Sequence, residues 1–262
     1  MKLLPICSSS KGNSVYIGSR NSGILIDVGC SYKALRQGLE AMDTGIGAVK
    51  AVLITHSHTD HVKGLLTMTK NNDIPIFASR ETLDYLSNGL VSGSADLHTL
   101  EELDQVEFEA EIKAFPTPHD CDGSVGYVMD FGGERLGYCT DLGEVTAEVR
   151  GNLSGCRTVF IEANYEPDLL RSNPRYPAYL KQRIASDHGH LSNPASAELC
   201  SELVKSGTVS IVLGHLSQEN NTPDTALGRV SGRLAAEGAQ RERDYMLKVA
   251  PVSNLKGEYI VF

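Results

Sequence analysis

The segment Thr55-His56-Ser57-His58-Thr59-Asp60-His61 puts three histidines and one aspartate within six residues, directly after the apolar run Lys50–Ile54. Imidazole and carboxylate are the ligands that Zn, Mn and Fe accept, and a pair of such ions needs about six or seven of them. Side chains alternate along a strand end, so His56 and His58 point the same way. The turn into a following helix then brings Asp60 and His61 back toward a second ion. A polar loop rich in histidine by accident is the bland alternative, and four potential ligands at one strand end argue against it.

Such a cluster needs a sheet to hold it. Apolar, β-branched runs recur along the chain: SVYIG from Ser14, GILIDV from Gly23, KAVLITH from Lys50, IPIF from Ile74 and QVEFE from Gln105. SVGYVMD from Ser124, TVFIEA from Thr158, VSIVLGH from Val209 and YMLKVA from Tyr245 follow, with turn residues between many of them. Helices lie in between. Residues 32–42 place Leu35, Leu39 and Met42 at helical spacing. A second helix runs from Pro194 to Ser206, with Asn193 as N-cap and Gly207 just past the end, and a third follows Thr222-Pro223-Asp224. Strands and interleaved helices in both halves predict an α/β fold of two mixed sheets packed together with helices outside, a four-layer αββα sandwich. No repeat or linker divides the chain, so residues 1–262 are read as a single domain.

Composition narrows the class. The chain has 262 residues, 41% hydrophobic and 22% charged, which excludes disordered, collagenous and coiled-coil proteins. No apolar run approaches the roughly 20 residues needed to span a bilayer. The opening MKLLPICSSSKGNS is too short in apolar residues for a signal-peptide core of roughly 7–15, so the chain is read as cytoplasmic. Six cysteines with no C-x-x-C pair fit neither a disulfide framework nor a structural zinc cluster. The net charge of −9 argues against a generally basic nucleic-acid coat, although bound cations would reverse the sign locally.

H-x-H-x-D-H after an apolar strand resembles the metallo-β-lactamase superfamily, an αββα fold with a dinuclear metal site. The resemblance implies further site residues, each of which has a counterpart here. Asp27 in LIDVG supports a ligand from behind the site. His119 in PTPHDC, the bridging Asp141 in YCTDLG and His215 in IVLGHLS complete the ligand set. On this reading His56, His58 and His119 hold one ion, Asp60, His61 and His215 hold the other, and Asp141 is shared. Phosphodiesterase members carry an extra His that serves as proton donor or transition-state stabiliser, and His190 matches that place better than His188. His188 and His98 are read as surface residues.

Segments from SSSKGNS through LITHSHTDHVKGL, IEANYEPDLL and YPAYLKQRI to LGHLSQENNTP resemble the bacterial WalJ/YycJ-type subfamily across residues 8–223. That resemblance implies a cytoplasmic 5′ to 3′ exonuclease on double-stranded DNA, connected with DNA repair and using two divalent ions, Zn or Mn. Asp60 orients the attacking water, and His190 stabilises the phosphorus centre or protonates the leaving oxygen. RNA 3′-end processing and small cyclic-phosphate hydrolysis are the competing chemistries for such a site. DNA, or RNA, is the expected partner, with no membrane and no obligate protein partner.

Two other segments bear on substrate. Between Leu169 and Ser186 lie Arg171, Arg175, Lys181 and Arg183, with no acidic residue and with Tyr176 and Tyr179 interleaved. This is either a strip for phosphate contact and base stacking or a solvated loop and helix face. SSSKGN from Ser8 is either a backbone nest for a terminal phosphate or a plain hairpin turn.

Overall fold

The apolar runs become strands of two mixed sheets, as their β-branched composition favours. The computed structural model describes residues 1–254 and 256–262 and places them in two units. The first contains Met1–Ile112, Cys121–Val125 and Pro251–Phe262, and the second contains Lys113–Asp120 and Gly126–Ala250.

In the first unit the strands are β1 (Lys2–Ser9), β2 (Gly12–Gly18), β3 (Gly23–Ile26), β4 (Val49–Leu53), β5 (Ile76–Ala78), β6 (Leu97–Thr99) and β13 (Ile260–Val261). Their order is β13-β1-β2-β3-β4-β5-β6. The pairs β1–β2 and β2–β3 are antiparallel, whereas β3, β4, β5 and β6 run parallel. The pairing of β1 with β2 shifts register between Pro5 and Cys7, where proline gives the ladder no donor. Four helices accompany this sheet: α1 (Tyr32–Glu40), α2 (Thr59–Val62), α3 (Leu65–Thr69) and α4 (Arg80–Leu86). Ser31 caps α1 by accepting from the Ala34 amide, and Leu35 and Leu39 join Leu4, Ile6 and Val52 in one buried cluster.

The second sheet has the order β12-β11-β10-β9-β8-β7. Its strands are β7 (Glu111–Pro116), β8 (Val125–Asp130), β9 (Arg135–Cys139), β10 (Thr158–Glu162), β11 (Ser210–Gly214) and β12 (Met246–Val249). β8 and β9 form an antiparallel hairpin, and β9, β10, β11 and β12 are parallel. Every residue of β10 and β11 is buried, which explains why these runs are continuously apolar rather than alternating. The helices are α5 (Ala147–Leu153), α6 (Pro167–Ser172), α7 (Ala178–Ile184), α8 (Asn193–Lys205) and α9 (Pro223–Ala236). Leu199 and Leu203 of α8 and Val230 and Leu234 of α9 pack with Ile211 and Leu213 of β11. Each such side chain contributes about 1.5–3 kcal/mol on burial.

Two local expectations fail. QVEFE is not a strand: Gln105 ends a short 3-10 helix over Leu100–Gln105 that a Thr99–Glu102 capping box starts, residues 106–110 are irregular, and β7 begins only at Glu111. The N-cap of α8 is Ser192, whose side chain accepts from the Ala195 amide. Asn193 instead turns its amide inward to Glu166 Oε2 at 3.1 Å and Asn221 Oδ1 at 2.9 Å.

Candidate metal centre

The chemistry-bearing residues sit where parallel strands end, the usual position for ligand sites in sheets of this kind. In the first unit β3 delivers Asp27 and β4 delivers the Thr55–His61 segment. In the second, Asp141 and His215 follow just after β9 and β11, and Glu162 is the last residue of β10. Asp27, Asp141 and His215 have φ of 60°, 58° and 54°, three of the five left-handed non-glycine residues among those described. Such a conformation costs roughly 1–2 kcal/mol per residue, and here it recurs where a side chain has to be aimed just past a strand.

In the first unit the His-rich segment is held by buried polar contacts. Asp27 is fully buried, and its Oδ1 accepts from the Thr55 amide at 2.8 Å. Its Oδ2 accepts from Thr55 Oγ1 at 2.9 Å and from His61 Nδ1 at 2.8 Å. Burial pushes the Asp27 carboxyl up, more than the attraction of His61 pulls it down. With Nδ1 committed to Asp27, His61 presents Nε2 as its ligating atom, the arrangement that orients metal-binding histidines generally. His56 Nε2 and His58 Nδ1 face each other at 3.1 Å, a spacing one ion can bridge. Asp60 lies in the first turn of α2, with Oδ2 3.5 Å from His61 Nε2.

Asn13, to which sequence reasoning assigns no role of its own within SSSKGN, belongs to this group. The SSSKGN segment is a tight hairpin between β1 and β2. Its buried Asn13 donates through Nδ2 to Ser9 O at 2.9 Å and to Asp60 Oδ2 at 3.3 Å, and lies 3.1 Å from His61 Nε2. Backbone bonds from Gly29 to Asn13 O (2.7 Å) and from Val28 to His61 O (2.8 Å) pin hairpin, β3 end and α2 together.

The second unit gathers His119, Asp141, Glu162, His190 and His215. Asp141, Glu162, His190 and His215 each offer a ligand atom, all within 4.8 Å of one another. Asp141 Oδ1 lies 3.8 Å from His119 Nε2, 3.6 Å from His190 Nδ1 and 3.4 Å from His215 Nδ1. His119 gives Nδ1 to the Gly189 carbonyl at 3.0 Å, which turns Nε2 outward, and burial lowers its pKa despite Asp141 nearby.

Sequence reasoning misses Glu162, although a lone acid closing the apolar run TVFIE is an available signal. Its Oε1 accepts from His215 Nδ1 at 2.7 Å and His190 Nδ1 at 2.9 Å. Its Oε2 accepts the amides of Leu191 at 2.9 Å and Leu142 at 3.2 Å. Burial alone would raise the Glu162 carboxyl, but the two histidines outweigh it and hold the pKa far below the carboxylate range. Asn164 Nδ2 also donates to His215 O at 2.8 Å.

The other histidines and the basic segment sit elsewhere. His188 is exposed, whereas His98 is half-buried, stacked on Phe77 and paired with Asp96 at 2.9 Å. The basic segment is less uniformly cationic than its sequence, since Arg171, Arg175 and Arg183 pair with Asp168, Glu219 and Asp120. Tyr176 is half-buried, and Tyr179 is exposed.

The donor set fits divalent metal. Among the described residues, buried histidine and carboxylate groups are concentrated at these strand ends, and His61, His119, His190 and His215 each have Nδ1 anchored to an oxygen acceptor. Imidazoles held this way, with carboxylates beside them, are ligands for Zn or Mn.

Comparison with known proteins agrees. Residues 23–215 match the family model of the β-lactamase superfamily domain. The chain is 30% identical over 235 residues to a Bacillus anthracis protein named exodeoxyribonuclease YycJ, with 89% of each chain covered. It is 32% identical over 234 residues to a Streptococcus pneumoniae protein named exodeoxyribonuclease WalJ, covering 88% of this chain and 87% of that one. Among solved structures, Zn-bound PqqB from Methylobacterium extorquens superposes with a TM-score of 0.71 at 17% identity over the full length of both chains. The α/β fold with two mixed sheets is therefore the metallo-β-lactamase fold, and the chain belongs to the β-lactamase superfamily as a hydrolase of that fold.

Proposed function

We propose that this chain is a metal-dependent phosphodiesterase, an exonuclease that digests double-stranded DNA from the 5′ end. The observation that carries the reading is the buried Glu162 carboxylate, which holds Nδ1 of both His190 and His215 beside Asp141. The similarity to proteins named exodeoxyribonucleases supports the substrate class.

In this reading His56, His58 and His119 would hold one divalent ion, Zn or Mn, and Asp60, His61 and His215 would hold a second, with Asp141 shared. The ions, when bound, supply Lewis acidity that lowers the pKa of water toward about 7 and offsets charge on the phosphate. Asp27 keeps His61 in the tautomer that ligates through Nε2, and the Gly189 carbonyl does the same for His119. Asp60 accepts a hydrogen bond from the attacking water and directs it at phosphorus. His190, with Nδ1 held by Glu162, gives a proton from Nε2 to the leaving 3′ oxygen. Residues 1–262 act as one domain in the cytoplasm, and no helix among the described residues is long and apolar enough to cross a membrane.

Metal content and activity test the reading together. The purified chain should carry two divalent ions, lose hydrolysis of duplex DNA on chelation, and regain it with Mn or Zn. Full activity in chelator would overturn it.

A further inference from the structure

The segment through α6 and α7 is anchored by buried Leu170 and Asn173, but beyond them it packs little. Helix α7 buries none of its seven residues, and Tyr179 on it is 73% exposed. A ring so exposed buries little apolar surface on folding. The side chains of Arg171 and Arg175 are 77% and 71% exposed. They lie in a stretch, residues 169–186, with four cationic residues and no acidic one, in a chain of net charge −9. Each arginine meets a single carboxylate, exposed Asp168 for Arg171 and half-buried Glu219 for Arg175, and an ion pair with so exposed a guanidinium contributes little.

The segment is also tied to the candidate centre. The His190 amide donates to Ile184 O at 2.9 Å, where α7 ends, and the Gly189 amide donates to Ser186 O at 2.9 Å. A Cβ on Gly189 would stand 2.2 Å from Arg183 O, so glycine alone lets this loop approach the helix end. Arg183 pairs with Asp120, the neighbour of His119. Tyr179 therefore stands about 7.5 Å along the helix axis from the residue that holds the His190 backbone.

We propose that this face is where an unpaired DNA strand lies, with phosphates against Arg171 and Arg175 and a base stacked on Tyr179. The proposal rests on the nuclease reading and adds to it the surface that grips the substrate. Charge complementarity selects a polyanion, and the exposed ring selects one whose base faces are open, which a paired duplex does not offer. A strand fed through this face must leave its partner before it reaches His190.

Binding measured in chelator, where no cleavage occurs, tests this directly. The probe is a fluorescent single-stranded oligodeoxynucleotide read by anisotropy over a range of salt, with a duplex and an RNA strand of the same sequence alongside. Tyr179→Ala should weaken single-strand binding about tenfold or more. Arg171→Ala with Arg175→Ala should reduce the slope of log affinity against log salt by about 0.7 for each phosphate no longer neutralised. Arg243→Ala, an exposed pair partner in the turn between α9 and β12, makes the same kind of charge change and should leave the slope as it was. Thermal melting of each variant shows whether it is folded. Unchanged affinity and slope in the α6–α7 variants would overturn the proposal while leaving nuclease action standing. Tighter binding of the RNA strand through the same residues would overturn the assignment to DNA. A wild-type chain that neither binds nor degrades DNA would overturn both readings.

Discussion

The carboxylate of Glu162 lies 2.9 Å from Nδ1 of His190, and the same oxygen accepts from His215 at 2.7 Å. One wholly buried acid thus fixes two rings that carry different duties in the proposed mechanism, proton donation by His190 and metal binding by His215. Its second oxygen is occupied by two backbone amides, so the carboxylate cannot rotate without losing them.

This predicts a separation of effects. Glu162→Gln should lower metal affinity about 10–100-fold, because an amide cannot accept from all four donors. His190→Ala should keep both ions and lower kcat by about 10²–10⁴-fold. Metal titration and turnover on the same preparations decide this. Loss of an ion from His190→Ala would make that ring a ligand instead of a proton donor.

The Asp27–His61 contact gives a second prediction. Asp27→Asn replaces an acceptor of three hydrogen bonds with a group that must turn an N–H₂ toward one of its donors. Stability should fall by about 1–3 kcal/mol, read from urea unfolding, and one ion should bind more weakly. A variant equal to the wild type in both would mean that this buried network does not orient His61.

How far the sequence reveals all this differs by residue. The His56–His61 spacing is legible because its ligand types crowd one strand end, and β3, β4, β10 and β11 are legible because buried parallel strands are continuously apolar. Glu162 is hidden, since one acid at the end of an apolar run carries no pattern, and its partners lie 28 and 53 residues away. Asn13 is hidden for the same reason, 47 residues from Asp60. The ion pairs of the basic segment are hidden as well, because the acids that pair with Arg175 and Arg183, Glu219 and Asp120, lie outside it. QVEFE has the composition of a strand, but the Thr99–Glu102 capping box that starts a competing helical turn is a local polar feature.

Backbone crowding offers a third prediction. A Cβ on Gly29 would stand 1.7 Å from Asp60 O, so Gly29→Ala must displace the start of α2. It should cost about 3 kcal/mol and disturb metal binding as well. Gly228 and Gly232 on α9 have nothing within 4 Å of the same position. Changing both to Ala should raise stability by about 1–2 kcal/mol, as propensity on an exposed helix requires. Denaturant midpoints measure both cases, and equal shifts would refute the crowding argument.

Acid stability supplies a fourth. Burial would raise the Glu166 carboxyl, but the Arg229 guanidinium and the Asn193 amide bond to it and hold it below the ordinary value. A carboxyl depressed in the fold contributes stability that is present above its unfolded pKa, about 4.3, and lost as pH falls below it. Arg229→Leu should therefore flatten the fall in stability between about pH 5 and 3. Parallel curves for wild type and variant would remove this pair from the acid limb.

The central claim is that the chain removes nucleotides from the 5′ end of duplex DNA with metal bound at the histidine–aspartate centre. Linear duplex labelled at either the 5′ or the 3′ end, incubated with Mn and with the wild type or Asp60→Ala, tests it most directly. The account predicts early release of the 5′ label as short product, late release of the 3′ label, and neither with Asp60→Ala. Retention of both labels by the wild type, or equal release by the variant, would contradict it.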